Sequence, residues 1–134
     1  IDSLTTNRGG VSSVAFSPDG NILASANEFG FISFRDLRIG LELQPILTTA
    51  SIEKIAFMED GRTLVSRGIR KEFVSFDEFT LWDVTSKLKI RDIDFRVGLT
   101  RTFEVSPKGK NLVVGDYVLF LMDLSDDNPK PRYI

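Results

Sequence analysis

Five aspartates, Asp19, Asp36, Asp60, Asp83 and Asp123, return at related places along the 134-residue chain and are its most obvious candidates for chemistry. Carboxylates can divide general acid and general base work when their surroundings push their pKa values apart. Here the recurrence argues for another role. Each aspartate lies either beside a turn glycine or at the end of an apolar run, and a residue that reappears in the same local context is explained by turn chemistry or strand-end capping. The chain contains neither histidine nor cysteine, which removes the commonest general base near neutral pH, thiol nucleophiles, disulfides and the usual zinc ligands. Asp126-Asp127-Asn128 lacks the ligand spacing and glycine of a calcium loop, and Arg8-Gly9-Gly10 lacks the lysine and spacing of a phosphate loop. No catalytic residue, metal or cofactor is expected.

Charge gives a second set of exclusions. Seventeen basic residues stand against nineteen acidic ones, a net of -2, and the cations form no long run, so nucleic acid is not an expected partner. No apolar run approaches the length of a membrane span and the opening residues do not read as a secretory leader, so a membrane is not expected either and a cytoplasmic location is. The first residue is Ile1 rather than methionine, so a trimmed or processed chain is expected. With 42% hydrophobic residues, the chain suffices for one ordinary core and is expected to be a single unit over residues 1–134.

The elements that must position these residues are short strands. Val14-Ala15-Phe16-Ser17-Pro18-Asp19-Gly20 followed by Leu23-Ala24-Ser25 reads as a hairpin around one tight turn, in which proline presets φ and glycine accepts a positive value. The pattern returns at Phe57, Glu59, Asp60, Gly61 and Leu64, and again at Val105, Pro107, Lys108, Gly109 and Leu112. The turn glycines are separated by 41 and 48 residues, a period typical of repeat architectures. Each copy then reaches a second marker: Phe34-Arg35-Asp36-Leu37, Leu81-Trp82-Asp83-Val84 and Leu121-Met122-Asp123-Leu124. The repeats span approximately 7–49, 50–97 and 98–134, with about six extra residues near Arg67 to Phe76 in the middle copy. A more charged fourth strand follows, Leu41 to Thr49 in the first copy and Lys87 to Val97 in the second, suited to an edge that must resist pairing. Ile1 to Thr6 offers one further outer strand, and Asp126 to Pro131 reads as irregular.

These hairpins and the Leu81-Trp82-Asp83 ending resemble the WD-repeat β-propellers over about residues 11 to 124. The resemblance implies an all-β fold of about three blades, each of four antiparallel strands, which makes an incomplete propeller. It also implies that the missing histidine of the family's Gly-His pair leaves one hydrogen-bonded network unformed, and that only Trp82 keeps the family tryptophan, with Arg35 and Met122 at the matching places. Trp82, Phe16 and Phe57 are expected in the core. Three blades leave two uncovered faces, to be covered by further blades of a parent chain or by a homo-oligomer.

The family places the loops between second and third strands on the same edge as those leading into each first strand. On that edge Arg67, Arg70, Lys71 and Phe73 of the insertion are expected to project beside Arg8 and Arg101, forming a basic rim with an apolar anchor for an acidic segment of a protein partner. The implied function is a non-catalytic protein interaction scaffold. The alternative is the propeller portion of a larger hydrolase of the prolyl-oligopeptidase kind, whose propellers contain similar Ser-Pro-Asp-Gly turns.

Overall fold

The computed structural model describes residues 9–70, 76–93 and 99–134. They form twelve strands and, among the described residues, no helix: β1 (Val11–Phe16), β2 (Ile22–Asn27), β3 (Phe31–Asp36), β4 (Leu41–Leu47), β5 (Ser51–Phe57), β6 (Thr63–Arg70), β7 (Phe76–Asp83), β8 (Lys89–Ile93), β9 (Thr102–Val105), β10 (Asn111–Gly115), β11 (Leu119–Asp123) and β12 (Arg132–Tyr133). Three antiparallel sheets follow in chain order, β1–β4, β5–β8 and β9–β12, each a simple meander.

The same turn opens all three sheets. Ser17 N–H donates to the Ile22 carbonyl at 2.9 Å and Gly20 N–H to the Ser17 carbonyl at 2.8 Å; Met58, Thr63 and Gly61 repeat this at 2.8 and 3.0 Å, and Ser106, Asn111 and Gly109 at 2.9 and 2.7 Å. Gly20 has a φ of 74°, a conformation in which a side chain would be strained. Beyond the turn, strand alternation decides which residues are hidden. In β3, Ile32, Phe34 and Asp36 are buried, while Phe31, Ser33 and Arg35 on the other face are only half-buried.

Burial assigns each face its neighbour. Ala24, Ala26, Ile32, Phe34 and Ile46 of the first sheet share a core with Ile52, Ile55, Leu64, Trp82 and Val84 of the second, with Ala15, Leu43 and Phe57 packed against it. The opposite face of the second sheet, Val65, Phe79, Leu81 and Ile93, shares another core with Phe103, Leu112, Val114, Phe120 and Met122 of the third. The sheets are therefore consecutive blades. β1 and β5 lie against each other as the inner strands, tied by the Ser12 hydroxyl donating to the Ile52 carbonyl at 2.6 Å and the Ile55 N–H donating to the Ser13 hydroxyl at 3.1 Å.

Trp82 is buried as expected, and its indole N–H donates to the buried Ser66 hydroxyl at 2.8 Å. Phe57 is partly buried. Phe16 corrects the expectation: its side chain is 63% exposed. It occupies the position of Phe57 and Val105, each of which packs on the preceding blade, but among the described residues no strand lies against that face of the first blade. The fourth strand of the third blade, Arg132–Tyr133, is too short to show alternation, which is why the sequence gives no sign of it; Tyr133 packs its ring 4.7 Å from that of Phe120. The outer strand expected at Ile1 to Thr6 lies outside the described residues.

Candidate functional site

Loops β2–β3, β4–β5 and β10–β11, the end of β6 and the segment entering β9 meet along one edge. Thr48 N–H donates to the Gly30 carbonyl at 2.8 Å and Arg101 N–H to the Gly115 carbonyl at 2.9 Å, so each entering loop is fastened to the neighbouring hairpin. In the β2–β3 turn the buried Asn27 carboxamide oxygen accepts from the Phe29 and Phe31 N–H groups, both at 3.0 Å. This Asx-type turn holds Phe29 outward, 64% exposed. Gly30, with a φ of 84°, is required there because a Cβ would collide with the Thr48 carbonyl oxygen. Glu28, Phe29, Thr49, Ala50, Ser51, Ile69 and Arg70 line a cleft of about 640 Å³ between the first two blades.

The third blade carries an equivalent tip. Tyr117 is 88% exposed in the β10–β11 turn, with the Arg101 guanidinium carbon 5.5 Å from its ring centre. Arg101 Nε lies 2.9 Å from Asp116 Oδ1, which fixes the guanidinium beside the ring while leaving the pair open to solvent. Arg70 is half-exposed at the end of β6 and pairs with Glu78 at 2.9 Å. The edge thus brings Arg70 and Arg101 together with two aromatics, Phe29 and Tyr117, that the sequence reading passed over. Their signal was present: an aromatic beside Gly30 and another beside Asp116, each at a hairpin tip where no core position exists.

Arg67 does not belong to that rim. The extra residues of the middle copy lengthen the β6–β7 hairpin, so Arg67 pairs with Phe79 and Arg70 with Phe76 inside the ladder, and Arg67 points into the junction with the third blade, 9% exposed. Its Nη1 donates to the Thr100 carbonyl at 2.8 Å, while Asp77 Oδ2 accepts from the Thr100 N–H at 2.5 Å and from the Thr100 hydroxyl. Arg67 Nε and Asp77 Oδ1 are buried with no protein partner. Arg8, Lys71 and Phe73 lie outside the described residues.

The recurrent aspartates serve the turns. Asp19 accepts from the Ser17 hydroxyl and Asn21 N–H, Asp83 from the Thr85 and Ser86 N–H groups, and Asp123 from the Ser125 hydroxyl and N–H. Asp36 holds Arg38 at 2.8 Å. These donors favour the charged form and pull each carboxyl below its ordinary value, through Ser17 for Asp19, Arg38 for Asp36, the Ser86 N–H for Asp83 and Ser125 for Asp123. Partial burial works against this at Asp60, where the Thr63 and Arg62 hydrogen bonds outweigh it and the net shift is again downward. A carboxyl held ionised in this way is a poor proton donor at neutral pH. Among the described residues, no group of His, Cys, Asp or Glu side chains is arranged to hold a metal ion.

No protein-family model matches the chain, and no curated protein matches it. Among solved structures it resembles the hydrazine synthase of Kuenenia stuttgartiensis, a β-propeller-containing protein, with a TM-score of 0.75 and 23% identity, over 95% of this chain and 38% of that one. The chain spans well under half of that neighbour, and a likeness at this identity is one of fold. Three consecutive four-stranded β-propeller blades are that fold; 839 solved chains match it, so the architecture by itself selects no activity.

Proposed function

We propose that the chain is a non-catalytic interaction module, a WD-repeat-type propeller segment that holds a protein partner along the edge carrying Phe29, Arg70, Arg101 and Tyr117. The observation that supports this most is the Arg101–Tyr117 pair: an aromatic ring 88% exposed, set beside a guanidinium that its own loop holds in place. Arginine and tyrosine are enriched among residues that dominate binding energy, and side chains already ordered lose little freedom on association. The partner that suits it is a protein segment with carboxylates for the arginines and an apolar side chain for the cleft beside Phe29 and Ile69.

A photo-crosslinking residue at position 117, compared with one at Lys108 in the turn on the opposite edge, tests the reading. Adducts from position 117 and not from position 108, mapping to an acidic segment, are the expected result, and Arg101→Glu should then slow association. Equal labelling from both positions, or none from either in a folded protein, contradicts it.

A further inference from the structure

The lengthened β6–β7 hairpin carries an arginine and a carboxylate on each of its two faces. Its register sets Arg70 opposite Phe76 and Gly68 opposite Glu78, so Arg70 and Glu78 share the face that turns Leu64 and Trp82 toward the first blade. It sets Arg67 opposite Phe79 and Ile69 opposite Asp77, so Arg67 and Asp77 share the face that turns Val65 and Phe79 toward the third. Both pairs are diagonal neighbours, about 7–8 Å apart along the backbone and within reach of long side chains. On the first face the pair closes, with Arg70 Nε 2.9 Å from Glu78 Oε2.

On the second face the two charges take Thr100 instead of each other. The Thr100 carbonyl accepts from Arg67 Nη1 at 2.8 Å, while its N–H, at 2.5 Å, and its hydroxyl donate to Asp77 Oδ2. Each charged group is thereby only partly used. Arg67 Nε and Asp77 Oδ1 are both buried and meet no hydrogen-bond partner among the described residues, in residues 9% and 3% exposed. Leaving such atoms unmet in a low-dielectric interior is costly, and folded proteins supply a partner, often an ordered internal water. The two atoms have opposite needs: Nε requires an acceptor and Oδ1 a donor. A bound anion would answer the first and repel the second, a cation would do the reverse, and an apolar group would answer neither. Water answers both, and two hydrogen bonds through one water span up to about 6 Å, a length suited to diagonal side chains.

We propose that an internal water molecule bridges Arg67 Nε and Asp77 Oδ1 at the junction of the second and third blades. The water and Thr100 then link the two buried charges side by side, one through a solvent molecule and one through a residue of the neighbouring blade. The hydrated pair is a socket shaped to the N–H, hydroxyl and carbonyl of Thr100, and it holds the segment entering β9 against the β6–β7 hairpin.

Water-selective ROESY on the isotope-labelled wild-type protein tests this, because a bound water gives cross-peaks opposite in sign to the diagonal whereas proton exchange gives the same sign. Contacts with water are expected at the Arg67 Nε–H and at the Thr100 amide. Arg67→Lys keeps a cation for the Thr100 carbonyl but has no Nε–H, so the Thr100 contact should weaken while circular dichroism shows the fold retained. A crystal structure fine enough to place waters should show one at about 2.7–3.2 Å from both atoms. Absence of a water contact at both protons in the folded wild type would overturn the proposal, as would a Thr100 contact unchanged in folded Arg67→Lys. So would a crystal structure in which Arg67 and Asp77 pair directly, or in which a protein group fills the position between them.

Discussion

Between the first and second blades the contact is made by Ala24, Ala26, Ile32 and Phe34 against Ile52, Ile55, Leu64 and Trp82, with hydroxyls of Ser12 and Ser13 stitching the inner strands. Between the second and third blades an apolar core is also present, but four charged residues of the second blade reach across it. Lys54 Nζ donates to the Phe103 carbonyl at 2.5 Å, Arg67 to that of Thr100 at 2.8 Å, and Arg91 to those of Leu124, Asp126 and Asp127 at 2.8 to 2.9 Å, while Asp77 accepts from Thr100. Apolar burial is non-directional and tolerates small sliding, whereas a guanidinium aimed at particular carbonyls fixes where a loop must lie. The third blade is thereby held in one orientation by its own main chain. Arg101 and Tyr117 ride on that blade, so the polar junction also positions half of the proposed binding edge.

The difference can be broken most severely on its apolar side. Trp82→Ala removes the largest side chain of the first junction and should destabilise the protein by about 3–5 kcal/mol in urea unfolding. An unchanged midpoint would mean that this core does not hold the two blades together. On the polar side, Arg67→Ala leaves the Thr100 carbonyl without its donor beside the buried Asp77, and a loss of about 1–3 kcal/mol is expected. Arg67→Lys should recover part of it at most, because a point charge on a flexible stem does not reproduce the planar fork.

Acid should act more gently and on the turns. Asp19, Asp36, Asp60, Asp83 and Asp123 all have folded pKa values below the ordinary 3.8. The stability they contribute is fully present above that value and is lost as pH falls through the lower folded values. Urea midpoints should therefore stay level from neutral pH down to about 5 and drop below about 4. A midpoint that begins to fall well above 5 would assign the pH dependence to other groups.

How much of this was legible in the sequence depends on how far each feature reaches along the chain. The hairpins were plain because Ser17-Pro18-Asp19-Gly20 and its copies determine their own geometry locally, and three repetitions exposed the blade. Phe16 was misread because repetition reports which face a residue occupies, not whether a neighbour covers that face. Arg67 was misread for a related reason: extra residues between two strands can extend the ladder as easily as they can make a loop, and the pairing of Arg70 with Phe76 is a nonlocal fact. Phe29 and Tyr117 escaped notice because each is a single aromatic in its own turn, and only the meeting of loops from different blades makes them one edge.

Native-state hydrogen exchange, read amide by amide, tests the contrast between the junctions most directly. The third blade has short strands, with a two-residue outer strand, and depends on carbonyl-directed donors; the first has strands of six and seven residues on an apolar junction. The amides of Leu112, Val113 and Val114 in β10 should exchange through an opening of lower free energy than those of Leu23, Ala24 and Ser25 in β2. Arg67→Ala should lower the β10 values further and leave the β2 values in place. Equal opening energies in the two blades, or an Arg67→Ala effect as large in β2 as in β10, would contradict the account.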